Sequence, residues 1–186
     1  WLHAQLFITH SRPISLSQFL VVRGVPFNIA NPGIGLESLA PLGAISNNPS
    51  KGMTESRWEE DALLALCVKA LNAGTQMLIF CPTKAKCSQT CIFLAERLAS
   101  SNQQTNIRID RSRQEWIARL RTLDAGSFNL LSPYKNALQR GAAFHHAGLS
   151  EPERGSVEAA FKSGVLRILA CTTTLAAGVN LPANIV

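Results

Sequence analysis

The chain has 186 residues, enough for one domain or one domain plus a linker. Hydrophobic residues make up 46% of it, so a sizeable core can be buried, and the net charge of +6 permits a polyanionic partner without requiring one. No apolar run approaches the roughly 18–20 residues of a membrane-spanning helix, which excludes that class.

No signal-peptide pattern opens the sequence. It starts at Trp1 rather than Met and stops at Val186 inside a strand-like run, which reads as a piece of a longer protein. The five cysteines, Cys67, Cys81, Cys87, Cys91 and Cys171, lie inside apolar or helical stretches. Their odd number and scatter read as buried reduced thiols of an intracellular protein, with no metal site.

In chain order, residues 1–24 hold two β-like runs, Leu6–Thr9 and Phe19–Val22, around Ser11-Arg12-Pro13. Residues 25–55 are rich in Pro, Gly, Asn and Ser and read as a long surface loop or insertion. Ser56-Arg57-Trp58-Glu59 is a capping-box pattern. It predicts a helix to about Asn72, with Leu63, Leu66, Cys67, Ala70 and Leu71 on one face and Gly74 as its stop. Gln76–Cys81 is a short apolar strand. Pro82-Thr83 turns from it into a helix over about Lys84 to Leu98, with Leu94, Ala95 and Leu98 on its apolar side.

Ser100–Asn106 is loop-like, and Ile107–Ile109 is either a strand or part of the same insertion. From Arg108 to Arg121 there are five arginines, Arg108, Arg111, Arg113, Arg119 and Arg121. They suit a solvated helix face, or alternatively a nucleic-acid rail. Residues 124–140 give no clear pattern.

The last forty-odd residues are the most informative. Two apolar runs, Ala142–Phe144 and Leu166–Cys171, each end in small and polar residues, and a helix lies between them. This is the layout of a parallel sheet whose strand ends carry a site. Three strand-end turns result. At Cys81-Pro82-Thr83-Lys84, a helix N-terminus and the Thr83 hydroxyl suit a phosphate, although capping alone explains Thr83 equally. At His145–Ser150, Ser150-Glu151-Pro152-Glu153 is a second capping box, with Val157, Ala160 and Phe161 on the buried face behind it. Gly148 there lets backbone approach a ligand closely. His145 and His146 have no carboxylate or third ligand evident beside them, so positioning or donation to a phosphate is expected rather than catalysis. At Thr172–Pro182, three hydroxyls suit phosphate oxygens, Gly178 permits close approach, and Asn180 offers a donor and an acceptor to a ribose or a neighbouring domain. The plainer alternative is a hydroxyl-capped short helix ended by glycine.

At these residues the chain resembles the second motor lobe of superfamily 2 helicases. Ala142–Arg154 is similar to the family's HHAGL…ER motif, and Ala170–Pro182 to its motif V, of the form T-x-T-L-A-x-G-V-N-L-P. Leu78–Lys84 resembles motif IV. Trp1-Leu2 and Arg12-Pro13-Ile14 look like the crossing from the first lobe. The resemblance is to the superkiller-like branch. Within it the chain is most similar to the repair helicase group that includes the helicase-like region of DNA polymerase theta.

The resemblance implies an α/β, RecA-like parallel sheet with flanking helices, truncated at its C-terminal end. Residues 1–14 would be the crossing segment and 15–186 the lobe, with insertions near 25–55 and 100–140. Thr83 and Lys84, His146 and Gly148, and Thr172, Thr173 and Gly178 are the implied nucleic-acid contacts. Gly178 and Asn180 would face the nucleotide. The implied cofactors are ATP and Mg²⁺, both held mainly by the first lobe. The implied partners are single-stranded or forked DNA, with RNA as the alternative, and the first RecA-like lobe of the same chain. A membrane is not among them, and the implied location is nuclear.

No residue is assigned to catalysis or to a metal. The sequence contains no G-x-x-x-x-G-K-[ST] phosphate loop, no DExH and no Q-x-x-G-R-x-G-R arginine motif. These residues alone are therefore expected not to hydrolyse ATP. The competing expectations are an ATPase-inactive lobe that only binds nucleic acid or protein, and a phosphate-ligand α/β enzyme unrelated to helicases.

Overall fold

A computed structural model describes residues 17–22, 25–28, 55–100, 111–122, 134–173 and 181–186. The chain divides into two compact units, residues 1–62 and 63–186. In the first, β1 (Phe19–Val22) pairs antiparallel with β2 (Val25–Asn28), with Leu20 opposite Phe27 and Val21 opposite Pro26. The stretch expected to be loop from residue 25 thus begins as a strand. Pro26 disguises it, yet a proline costs little in a two-stranded ribbon, where each strand has one edge that no ladder needs. The expected crossing segment, residues 1–14, and the run Leu6–Thr9 lie outside the described residues.

Helix α1 (Glu55–Ala73) starts one residue before Ser56, so Ser56 lies within the helix rather than capping it. Its predicted stop is correct: Gly74 has φ +67°, the left-handed conformation that ends helices. Cys67, Val68 and Ala70 are buried, and Leu63, Leu66 and Leu71 pack against the core beside them.

The core of the second unit is a parallel sheet of β3 (Met77–Phe80), β4 (Ala142–His145) and β5 (Ile168–Cys171). The spatial order is β3-β5-β4, with the last strand in the middle. Every residue of β4 and β5 is buried. Strands covered on both faces carry continuous apolar runs rather than alternation, which is how these two read in the sequence. Met77 also bridges Ile185 on the other edge of β3.

Helices cover the sheet: α2 (Lys84–Ser100), α3 (Arg111–Thr122), α4 (Lys135–Gln139) and α5 (Glu151–Lys162). Leu94 and Leu98 of α2 and Val157 and Phe161 of α5 are fully buried. The α/β class with a parallel sheet and flanking helices is as expected.

The described parts of the region from 100 to 140 contribute to the core. Ile117 and Leu120 of α3 and Ala137 and Leu138 of α4 belong to the same core. The Trp116 indole N–H donates to Ser156 Oγ of α5 at 3.0 Å. The run Ile107–Ile109 lies outside the described residues.

Candidate functional site

Parallel pairing brings the C-terminal ends of the three strands to one edge. Phe80 and His145 both sit opposite Cys171 in register. The Cys81 amide donates to the Cys171 carbonyl at 2.8 Å, and the Thr172 amide to the His145 carbonyl at 3.4 Å, so pairing continues just past the strands. The turns after β3, β4 and β5 therefore emerge side by side.

After β3, Pro82, Thr83 and Lys84 are exposed. Thr83 Oγ1 accepts the Lys86 amide at 3.1 Å, so this hydroxyl caps α2. After β5, Thr172 is half-buried and Thr173 exposed. Gly178 and Asn180 lie outside the described residues.

After β4 the sequence expectation needs revision. His145 belongs to the strand rather than the turn, and the residue is 6% exposed. Its Nε2 lies 2.8 Å from Glu158 Oε1 of α5. A carboxylate therefore does stand beside the histidines, thirteen residues on, where only the fold could bring it. His145 Nδ1 is buried without a hydrogen-bond partner. Enclosed in this way, His145 is not placed to donate to a phosphate.

The next residue faces the other way, as alternation along a strand requires. The His146 ring stacks on Phe144 with centroids 5.0 Å apart, and its Nε2 lies 3.3 Å from Ser88 Oγ of α2. His146 Nδ1 accepts the Gly148 amide at 3.0 Å. Burial pushes the His146 pKa below its usual 6.5, with Lys84 and His145 adding to the shift.

Gly148 is exposed and does not sit in the left-handed region, so its backbone does not demand glycine. A Cβ there would meet the imidazole at 2.9 Å from Cε1 and 3.0 Å from Nδ1, and would lie 3.9 Å from Lys84 Cδ. The glycine serves the close approach of an internal ring. The capping box is complete: Ser150 Oγ accepts from the Glu153 amide, and Glu153 Oε2 accepts from the Ser150 amide at 2.7 Å.

The arginine run divides on folding. Arg113 is 5% exposed; its Nε–H donates to the Val165 carbonyl at 3.0 Å and its Nη1–H to the Gln139 carbonyl at 3.3 Å. It is neither solvated nor part of a rail. Arg111 and Arg119 are exposed, and Arg111 pairs with Glu115. Among the described residues no group of three or more His, Cys, Asp or Glu is placed to hold a metal ion. No described helix is long and apolar enough to cross a membrane.

No family model matches the chain. Similarity to individual proteins is extensive, however. The chain is 32% identical over 195 residues to DNA polymerase theta of Drosophila melanogaster, covering 99% of this chain and 9% of that protein. It is 32% identical over 184 residues to the ATP-dependent DNA helicase Hel308 of Caldivirga maquilingensis, covering 99% and 21%. It is 30% identical over 182 residues to the Helicase POLQ-like protein of Caenorhabditis elegans, covering 97% and 18%.

The chain is similar to Hel308/POLQ-like helicases.

It spans about a tenth to a fifth of the length of the curated relatives it matches. The helicase resemblance drawn from the strand-end motifs is thus supported over nearly the whole sequence.

Of the residues picked as helicase-like contacts, Thr83, Lys84, Gly148, Thr172 and Thr173 lie in the three neighbouring turns. His146 lies behind that edge, 9% exposed and engaged by internal partners. Sequence reasoning missed Ser88 and Glu158. Ser88 sits one helical turn after Lys84, a spacing that gives a small residue on the face of α2 turned toward the next strand, but nothing in the sequence names its partner.

Proposed function

We propose that this segment is the second RecA-like lobe of an ATP-dependent DNA helicase or translocase and grips one strand by its phosphates. The supporting observation is the strand-end edge, where Thr83, Lys84, Gly148, Thr172 and Thr173 come from three turns that parallel pairing sets side by side. Hydroxyls, an ammonium and the N-terminus of α2 suit successive backbone phosphates and carry no base readout. Such a grip has weak sequence preference and strong salt dependence.

Gly178 and Asn180 face the nucleotide in this reading. ATP and Mg²⁺ are held chiefly by the first lobe, and ATP supplies the phosphoryl-transfer chemistry. The contribution of this lobe is to hold the strand, and its movement against the first lobe shifts the strand. Names carried by the relatives, a DNA polymerase and a DNA helicase, favour DNA over RNA. A role in DNA repair and a nuclear location complete this reading.

The test is Thr172→Ala in the full-length protein. Single-strand affinity falls several-fold and DNA-stimulated ATPase falls or uncouples from it. Unchanged affinity together with unchanged stimulated turnover would remove Thr172 from the site. Strand binding without any DNA-stimulated ATPase in the unaltered protein would favour a lobe that only binds.

A further inference from the structure

The His146 ring is joined to its surroundings by a hydrogen-bond chain with one direction. The Gly148 N–H donates to Nδ1 at 3.0 Å, so Nδ1 carries no proton. In the neutral ring the proton is then on Nε2, facing Ser88 Oγ at 3.3 Å. The Ser88 hydroxyl in turn donates to the Lys84 carbonyl at 3.4 Å. Every donor and acceptor in this series has its proper role only when the imidazole is uncharged and protonated on Nε2. The chain begins in the turn after β4 and ends in the first turn of α2, which are contributed by different strand ends. The ring is also wedged between Phe144 and the missing Cβ of Gly148. Its neighbour His145 is turned to α5 instead, through Glu158. Adjacent histidines thus attach the end of β4 to two different helices.

We infer that His146 is a positioning residue: as the Nε2-protonated neutral imidazole it locks the turn after β4 to the first turn of α2. Gly148 and the pair Thr83 and Lys84 then present themselves as one preset surface. His146 acts through the Gly148 amide and through Ser88, touching no phosphate itself. The inference rests on the strand-grip reading only for its effect on binding; the lock itself is tested separately.

The experiment compares full-length protein with His146→Asn and with His146→Leu. Asparagine offers an oxygen near the position of Nδ1, whereas leucine keeps bulk without an acceptor. Hydrogen exchange is followed in peptides resolving Gly148, alongside single-strand affinity. One hydrogen bond is worth about 0.5–1.5 kcal/mol net, so Gly148 exchanges on the order of tenfold faster in the leucine variant and recovers protection in the asparagine variant. Ser88→Ala reproduces part of the leucine effect. Equal protection in all variants, or loss in the asparagine variant as large as in the leucine variant, overturns the lock. Lost protection with unchanged strand affinity supports the lock and counts against the strand grip.

Discussion

Protonating His146 puts a second donor against the Gly148 amide, and burial already disfavours the charge. The consequence for pH has a definite sign. The folded-state pKa is depressed below the ordinary 6.5, so the unfolded chain takes up the proton first as pH falls. The contribution of neutral His146 is complete above 6.5 and is lost as pH drops from there through the depressed folded value. Urea unfolding of wild type and His146→Asn at pH 7.5 and at pH 5.5 checks this. The wild type is expected to lose the larger share of its stability on acidification; equal losses would show that His146 does not carry the effect. That His146 has internal partners at all was not legible in the sequence. The doublet advertises chemistry, whereas its roles depend on Ser88 and Glu158, brought in by helices on either side.

At the scale of elements, local signals read well and tertiary ones did not. Ser150 and Glu153 form the predicted cap because every atom involved lies within four residues. Met77–Phe80 and α2 fall where apolar runs and the Pro82-Thr83 turn put them. By contrast, β2 hides behind Pro26, and α3 looks like a charged surface helix because it carries four arginines. One of those arginines fastens α3 to the core. Arg113 spans two carbonyls, one before β5 and one at the end of α4, a reach that suits the guanidinium fork and no other side chain. Arg113→Met keeps the apolar stem but leaves both carbonyls short of a donor, at about 1–3 kcal/mol. Chemical unfolding is expected to show that loss for Arg113→Met and almost none for Arg111→Met, whose ion pair with Glu115 is solvent-exposed. Equal effects at the two positions would contradict the clamp.

At the scale of the molecule, all five cysteines are buried and unpaired, as their scatter suggested. Burial pushes the thiols of Cys67, Cys87, Cys91 and Cys171 up to about 12, with neighbouring Cys81 adding to Cys87 and Cys171. Against an ordinary thiol near 8.5, such a group carries on the order of a thousandfold less thiolate at pH 8. Peptide-resolved alkylation of native full-length protein should leave these four cysteines nearly unmodified and label them readily in urea. Fast native labelling of these four cysteines would mean that the core opens far more often than its packing suggests.

The order β3-β5-β4 also governs the sequence of assembly as the chain is made. Of the three described strands of the parallel sheet, the central one is the last to be synthesised, and the two that flank it pair with it rather than with each other. Until Ile168–Cys171 leaves the ribosome, β3 and β4 have no ladder to join, and their apolar residues wait uncovered. These three strands therefore join only once β5 is made, over contacts some ninety residues apart along the chain for β3 with β5. During translation this region is a natural client for holding chaperones. A nascent chain arrested short of β5 should be protease-sensitive throughout β3 and β4.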